Sequence, residues 1–262
     1  MIFLASIGNT NLTYGLFHQE IITLDRFPIQ NLTNQHDIER LYSNMLLKHN
    51  VSNSQIEGAA LTSVVPEKTN LFMEALKKQT SSEPFFASAQ TDFGMDYSKY
   101  SGILGTDRLL CCSAALKKHK PPFIVIDLGT ATTFNVVNHD GAFIGGVILP
   151  GVTTGLQALA TRTSLLQSIS FSQAKSVIGK NTAECMLSGA TFGTAAMIEG
   201  VIKRIQEELG DAATVIITGG NSANIIAYCD VEMNVEPNLL LEGLAEQYMR
   251  NKMVHLNKEV IG

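Results

Sequence analysis

The chain has 262 residues, of which 45% are hydrophobic and 16% charged, and its formal net charge is −5. These values are typical of a folded globular protein that is large enough for one large domain or two joined ones. The net negative charge and the dispersed Lys and Arg residues argue against a nucleic-acid partner, which would require clustered cations.

The apolar runs of the sequence are short. "PPFIVI" and "AATVII" fall far below the roughly 20 residues that cross a bilayer, and "MIFLAS" lacks the basic flank of a signal peptide. We therefore expect a cytoplasmic protein with no membrane partner. The four cysteines have no CxxC spacing and the six histidines no HExxH spacing, which predicts reduced thiols and no zinc site.

The first element in chain order is one copy of an internal repeat. Residues 2–20 align without a gap with residues 123–141. Each copy has the pattern of a buried strand, a tight polar turn and a second strand, so both halves are predicted to begin with an antiparallel meander. The second copy continues into "GAFIGGVILPG", a predicted third strand. The aligned pairs are Ser6 with Asp127, Gly8 with Gly129, Asn9 with Thr130, and His18 with His139.

Helical patterns follow each meander. Apolar spacing of three and four residues predicts helices over "DIERLYSNMLLKHN", "TNLFMEALKKQ" and "TDRLLCCSAALKKH", the last with Thr106 as its N-cap. Pro121 and Pro122 end this predicted helix. We place the domain boundary there, between 1–118 and 119–262. In the second half, "TTGLQALATRTSLLQ" and "TAECMLSGATFGTAAMIEGVIKRIQEEL" are predicted helices, and "ATVIITGGNSANII" is a predicted strand, glycine turn and helix.

The two polar turns predict a nucleotide site. A strand that ends in a Gly-containing polar turn presents backbone amides that can surround a phosphate, although one such turn is more often an ordinary hairpin. Two copies and a third glycine turn at 218–220 together favour a nucleotide cleft between two halves. No P-loop competes, because "SVIGKNT" has Asn181 where Ser or Thr is required. The three turns resemble those of the actin, Hsp70 and sugar kinase superfamily, which implies an α/β fold of two duplicated ribonuclease H-like halves, with mixed β-sheets and flanking helices.

Six further motifs occur in the order and approximate spacing of one family: "IGNTN", "GTDR", "DLGTATTF", "GGVILPG", "IGKNTAE" and "PNLLLEGL". Together they resemble type III pantothenate kinase as far as about residue 245. The resemblance implies ATP-dependent phosphorylation of pantothenate to 4′-phosphopantothenate, the first step of coenzyme A biosynthesis. It also implies a monovalent cation, K⁺ or NH₄⁺, Mg²⁺ that arrives with ATP, and a homodimer.

The "LGTDRLL" motif contains the candidate catalytic base, Asp107. Phosphoryl transfer needs a carboxylate that accepts the proton of the attacking hydroxyl, but an acid at a helix start is also explained by the helix dipole. The resemblance assigns the base to Asp107 and makes the planar fork of Arg108 a partner for the pantothenate carboxylate. Tyr97 is the candidate for the tyrosine that contacts the substrate, with Tyr100 as the alternative. Thr182 matches a substrate position of the family, and its alternative role is that of a helix N-cap. The substrate-binding residues implied by the resemblance are Tyr97, Gly105, Thr106, Asp107, Arg108 and Thr182.

ATP and cation positions come from the two repeat copies. Asp127 follows the apolar strand "FIVI", where an unpaired carboxylate is costly, so a bound cation explains it better than a surface acid does. The family match makes Asp127 the metal ligand. The ATP-binding residues implied by the resemblance are Ser6, Ile7, Gly8, Asn9, Thr10, Asn11, Leu12, Thr13 and Thr130.

Two residues depart from the family pattern. Ser6 and Asn135 stand where acids are usual, and we expect the loss of negative charge to weaken metal–ATP binding. A non-catalytic paralogue that binds or regulates, and another small-molecule kinase of the superfamily, therefore remain alternatives. Small residues between Ser188 and Ala196 predict close helix packing, which the resemblance places at a homodimer interface near Thr182 to Leu209.

Overall fold

A computed structural model describes residues 1–261, with side chains up to residue 253. The chain forms two compact units. Unit 1 contains Met1–Met95, Gly102–Ala114 and the chain from Asn238 onward, and unit 2 contains Asp96–Ser101 and Ala115–Pro237. The division at residue 118 stays a prediction; the compact units differ from it chiefly because the last helix returns to unit 1.

Unit 1 contains a five-stranded sheet of order β3-β2-β1-β4-β5. The first three strands form an antiparallel meander, and β4 and β5 continue the sheet in parallel with β1. The strands are β1 (Ile2–Ile7), β2 (Asn11–His18), β3 (Glu20–Pro28), β4 (Gly58–Ser63) and β5 (Phe85–Ala87), and the helices are α1 (Gln35–Lys48), α2 (Pro66–Thr80), most of α3 (Thr106–Lys118) and, at the end of the chain, α8 (Leu239–Ile261).

Unit 2 contains a second five-stranded sheet, of order β10-β9-β6-β7-β8. Its strands β6, β7 and β8 form the antiparallel meander, and β9 and β10 run parallel to β6. The strands are β6 (Phe123–Leu128), β7 (Ala131–Val137), β8 (Phe143–Pro150), β9 (Thr214–Thr218) and β10 (Asn234–Val235), and the helices are α4 (Val152–Arg162), α5 (Thr182–Ser188), α6 (Thr194–Leu209) and α7 (Ser222–Ile225).

The two sheets have the same topology. If the strands of each unit are numbered along the chain, the order from one edge of the sheet to the other is third, second, first, fourth and fifth in both units. In both units the first strand is the central one and is almost completely buried. This repeated topology confirms the predicted duplicated α/β fold with mixed sheets and flanking helices.

The gapless alignment of the two copies fails after the turn. Ser6 pairs with Thr13 across the first hairpin, and Asp127 pairs with Thr133 across the second. The intervals are seven and six residues, so the first turn contains one extra residue. The residue after each third strand donates its N–H to a turn carbonyl, Ile29 to Thr10 and Gly151 to Thr130, both at 3.0 Å.

Thr130 is therefore the counterpart of Thr10, and Asn9 is the inserted residue. The pairing of Asn9 with Thr130 in the sequence alignment was wrong, and so was that of His18 with His139. The sequence could not reveal this, because both turns are polar and no residue type marks the insertion.

Several predicted helices end elsewhere in the structure. The helix predicted through residue 167 stops at Arg162. The long helix predicted from Thr182 is continuous to Leu209 but contains five π-helical residues, Gly189–Gly193. Single-turn π segments are rare and often lie at functional sites. By length and composition this stretch is one that could cross a bilayer, which is weak evidence because core helices of globular proteins pass the same test.

Helix α8 fixes the position of α3 within unit 1. Gly243 lies against the backbone of Leu110, so that a Cβ at residue 243 would clash with the Leu110 carbonyl group. One turn further on, the buried Gln247 amide donates to Ser113 Oγ at 3.1 Å, and Ser113 donates to the Phe93 carbonyl at 2.9 Å. The helix that begins with "TDR" is thus held by both packing and buried hydrogen bonds.

Candidate active site

The first hairpin places the predicted ATP residues at one end of the sheet of unit 1. Ser6 and Ile7 end β1, Gly8 to Thr10 form the turn, and Asn11 begins β2. The Gly8 N–H donates to the Asn11 carbonyl at 3.0 Å, and a Cβ on Gly8 would come within 2.9 Å of that oxygen. The turn therefore requires glycine because its two strands approach closely.

The second turn is braced by the start of α4. The carbonyl oxygen of Thr130 accepts the Gly151 N–H at 3.0 Å and the Thr154 hydroxyl at 2.7 Å. A side chain at residue 151 would collide with the Gly129 and Thr130 carbonyl groups. The residues that follow β8 therefore hold the Thr130 carbonyl group in place through two hydrogen bonds.

Asp127 lies beside the third predicted turn. Its strand β6 is in parallel register with β9, which pairs Asp127 with Thr218. The next residue, Gly219, has φ of +96°, and a Cβ there would clash with Asp127 Oδ1 and the Leu128 backbone. Glycine at 219 thus lets the third turn approach the Asp127 carboxylate and the β6 backbone closely.

A polar row crosses each sheet at the carboxyl end of its central strand. Residues that pair across neighbouring strands point to the same face. In unit 1 the register places Thr13, Ser6 and Thr62 in one row. In unit 2 the corresponding row is Thr133, Asp127 and Thr218. The rows differ in chemistry at the centre, where one has a hydroxyl and the other a carboxylate.

The "GTDR" segment forms the start of α3. The backbone N–H of Arg108 donates both to the Gly105 carbonyl, at 3.2 Å, and to Asp107 Oδ1, at 2.9 Å. A Cβ on Gly105 would lie 2.5 Å from Asp107 Oδ1, so glycine gives the carboxylate its place. Burial raises the pKa of Asp107 above its ordinary value, opposed by the Arg108 N–H and the Arg108 charge.

Thr106 does not have the predicted capping role. It is the first residue of α3, which makes Gly105 the residue before the helix. Its buried hydroxyl lies 2.7 Å from the hydroxyl of Thr62 at the end of β4. Sequence reasoning missed Thr62, since a threonine near the end of "GAALTS" carries no motif of its own.

The two candidate tyrosines lie on one turn of unit 2, in which the Tyr100 N–H donates to the Tyr97 carbonyl at 3.0 Å. The Tyr100 ring packs edge-on against Phe143 of β8, with 5.6 Å between ring centroids. Tyr100 therefore contributes to the packing of unit 2.

Thr182 is not the N-cap of its helix. Asn181 has the extended backbone of a cap, and its side chain accepts the Glu184 N–H at 3.0 Å. Thr182 is the first helical residue and is exposed. The alternative interpretation of Thr182 as a cap was wrong.

Asn135 has a structural role that an acid could not fill. Its side chain is buried on β7, where the amide nitrogen donates to the Val125 carbonyl at 3.3 Å and to Thr133 Oγ1 at 3.1 Å. An ionised carboxylate has no hydrogen to donate. The hydrogen bonds of its amide thus explain Asn135 at this position. Within the described part of the chain, no such contact explains Ser6, which stands beside the first turn where the family usually has an acid.

The structure groups the predicted residues by unit. The residues from Ser6 to Thr13 and from Gly105 to Arg108 lie in unit 1, whereas Tyr97, Asp127, Thr130 and Thr182 lie in unit 2. Among the described residues, no three His, Cys, Asp or Glu side chains converge on a metal site.

Comparison with solved structures defines the class of this fold. A Baf family transcriptional activator from Campylobacter jejuni superposes with a TM-score of 0.60 at 18% identity, covering 95% of this chain and 98% of that one. MreB 5 of Spiroplasma citri, solved with bound AMPPNP, superposes with a TM-score of 0.51 at 8% identity, covering 98% of both chains. The two duplicated five-stranded sheets are those of the actin-like fold.

Sequence comparison gives the family within that class. The model of the type III pantothenate kinase family matches residues 2–204. The type III pantothenate kinase of Roseiflexus sp. strain RS-1 is 35% identical over 259 residues, which cover 96% of this chain and all of that protein. The chain belongs to the type III pantothenate kinase family, and is therefore a kinase.

Proposed function

We propose that this protein transfers the γ-phosphoryl group of ATP to pantothenate and so forms 4′-phosphopantothenate, the first step of coenzyme A biosynthesis. Full-length family membership is the observation that carries the proposal. The start of α3 supports it, since the part-buried acid Asp107 and the buried basic residue Arg108 are consecutive there.

We assign proton transfer to Asp107. As the primary hydroxyl of pantothenate attacks the γ-phosphorus, its proton passes to the free oxygen of the Asp107 carboxylate. The Arg108 N–H already occupies Oδ1, which leaves Oδ2 for the substrate. A single positioned base contributes about 100-fold to 10,000-fold in rate.

Pantothenate binding is assigned to Arg108 and to the other residues that the family resemblance implies. Arg108 can bind the pantothenate carboxylate with two parallel N–H groups. The proposed substrate residues are those predicted from the sequence: Tyr97, Gly105, Thr106, Asp107, Arg108 and Thr182.

ATP contacts are assigned to Ser6 through Thr13 and to Thr130. The backbone amides of a tight turn can donate to phosphate oxygens. Mg²⁺ enters with ATP and neutralises phosphate charge. Ser6 offers a hydroxyl, which can bind a metal-coordinated water but adds no charge.

We assign the monovalent cation, K⁺ or NH₄⁺, to Asp127. The assignment is supported by the carboxylate of Asp127 together with the hydroxyl oxygens of Thr133 and Thr218 in the same row. These oxygen atoms suit a hard cation. Such a cation would supply positive charge beside the phosphates.

We further propose a cytoplasmic homodimer. The stretch from Thr182 to Leu209 is apolar, yet only 33% of its most apolar window is buried in the single chain. A second copy would cover this surface. Light scattering at micromolar concentration tests this, and a monomer would contradict it.

The test of the proposed activity is product formation. Purified protein is incubated with ATP, Mg²⁺ and pantothenate, in parallel with K⁺, NH₄⁺ or Na⁺, and 4′-phosphopantothenate is detected by mass spectrometry. We expect product with K⁺ or NH₄⁺. ATP binding without product under any cation would instead support a non-catalytic paralogue, and phosphorylation of a sugar or acid would point to another kinase of the superfamily.

A further inference from the structure

Two buried hydroxyl groups connect the sheet of unit 1 to the start of α3. Thr62 Oγ1 lies 2.7 Å from Thr106 Oγ1 and 3.3 Å from the Ala87 carbonyl oxygen. Thr62 is 1% exposed and Thr106 is 9% exposed. Either hydroxyl can be the donor in the short contact: Thr106 donates to Thr62 when Thr62 donates to Ala87, and otherwise Thr62 donates to Thr106.

This contact fixes the residue that precedes the proposed base. Thr106 is the first residue of α3, and Asp107 follows it. Thr62 is in turn held by β4, which pairs with β1 so that Thr62 lies beside Ser6. The end of β4 is thus hydrogen-bonded to the first residue of α3.

We propose that Thr62 is a positioning residue for phosphoryl transfer, which acts by holding Thr106 and thereby the Asp107 carboxylate. The inference rests on the proposed function of Asp107. It adds a residue outside the "GTDR" motif. A base misplaced by about 1 Å can reduce the rate by about 100-fold.

Thr62→Val removes the hydroxyl and keeps the shape of the side chain. The Thr106 hydroxyl then loses its Thr62 partner, and the start of α3 loses its attachment to β4. We expect kcat to fall by about tenfold to 100-fold, while the KM for ATP stays within about twofold.

Thr62→Ser separates positioning from stability. It keeps the hydroxyl and removes a buried methyl group, so the melting temperature should fall while kcat stays near the original value. If Thr62 has only a structural role, kcat will instead follow stability in both variants. Thr191→Val is the matched control, since it also removes a buried, hydrogen-bonded threonine hydroxyl and lies outside the proposed catalytic and binding residues.

Amide hydrogen exchange tests the contact independently of activity. The Arg108 and Leu109 amides both donate to the Gly105 carbonyl, at 3.2 and 3.4 Å. We expect them to exchange faster in Thr62→Val than in the unmodified protein or in Thr62→Ser, without a comparable change in α1. Unchanged exchange would overturn the proposed attachment.

The outcomes distinguish the two proposals. If the unmodified protein makes no product, the proposed function fails, and the exchange experiment still decides whether Thr62 holds α3. If the unmodified protein is active and Thr62→Val has the same kcat, the positioning role of Thr62 is wrong although the function stands.

Discussion

Asp107 and Arg108 are joined by a short local hydrogen bond, in which the Arg108 backbone N–H donates to Asp107 Oδ1 at 2.9 Å. The bond orients the carboxylate at the first turn of α3 and favours its ionised form. Burial acts in the opposite direction and dominates, so the net effect is a raised pKa for Asp107. A base that is held in place but only weakly solvated accepts a proton readily.

Asp107→Asn should abolish transfer and preserve ATP binding. The amide has nearly the shape of the carboxylate but cannot accept the hydroxyl proton, so we expect kcat to fall by about 100-fold to 10,000-fold. Asp92→Asn, at an exposed Asp that pairs with Arg250, is the control and should leave kcat unchanged. Equal turnover in both variants would show that Asp107 is only a helix-start acid.

The same substitution should stabilise the fold at neutral pH. Because the pKa of Asp107 is raised in the folded protein, ionisation of this group opposes folding above that pKa. The opposition disappears as the pH falls below it. We therefore expect Asp107→Asn to melt at a higher temperature than the unmodified protein at pH 7, with a smaller difference in acid; calorimetry at both pH values checks this.

The pH dependence of kcat/KM should report the raised pKa of Asp107. The base must be ionised, so kcat/KM for pantothenate should decline as the pH falls through a value above the ordinary 3.8 of an aspartate. A profile of kcat/KM for pantothenate from about pH 3 to pH 8 at saturating ATP measures this value, because kcat/KM reports the enzyme before pantothenate binds. An acid limb at the ordinary aspartate pKa would contradict the effect of burial.

Residue patterning was sufficient for the elements with strong local signals. The apolar runs before Gly8 and Gly129 correctly predicted two meanders. "GAALTS" was not recognised as β4, because Ala and Gly have low strand propensity and burial decides the outcome. The return of α8 to unit 1, with Gly243 against Leu110, depends on residues far apart in sequence.

In the candidate site, too, some residues are predicted from local sequence motifs and others depend on contacts between distant parts of the chain. The resemblance proposes Asp107, Arg108 and Asp127 from motifs, and these assignments stay predictions, whereas the contact of Thr62 with Thr106 is visible only in three dimensions. The cap at Asn181 was missed because Asn and Thr are adjacent and both are good N-caps. Local chemistry allows either, and the backbone at the start of α5 selects one.

Gly243→Ala should destabilise unit 1. The added methyl group would meet the backbone of Leu110, which cannot move without shifting α3. Overpacking of this kind costs about 1 to 3 kcal/mol. Gly155→Ala on α4, where a Cβ meets nothing within 4 Å, should stabilise its helix by about 0.5 to 1 kcal/mol. Denaturant unfolding of both variants measures the contrast, and similar changes would disprove the close packing.

Thr132→Val should stabilise unit 2. Thr132 is fully buried, and among the described residues its hydroxyl has no hydrogen-bond partner. Replacing an unsatisfied hydroxyl with a methyl group should add about 1 kcal/mol. Thr191→Val is the opposite case, since the equally buried Thr191 hydroxyl accepts the Ala174 N–H at 3.2 Å. That change should reduce stability, and unfolding free energies of the same sign would refute the distinction.

Ser6→Asp should strengthen metal–ATP binding. Ser6 is the counterpart of Asp127 in the other hairpin, it is 6% exposed, and its neighbours in the row are the hydroxyls of Thr13 and Thr62. A carboxylate there could accept a hydrogen bond from the metal-bound water while the turn made by Gly8 stays as it is. One charge-assisted hydrogen bond is worth roughly 1.5 to 3 kcal/mol, which is about tenfold or more in affinity.

Ser6→Asn is the matched control, because it has the size of Asp without the charge. Both variants are compared by ATP affinity in Mg²⁺ and by melting temperature without nucleotide. Tighter ATP binding in Ser6→Asp alone, with a melting temperature close to that of Ser6→Asn, is the expected result. A buried carboxylate that finds no cation would instead lower the melting temperature and leave ATP affinity unchanged, and the first turn would then no longer act as a metal–ATP loop.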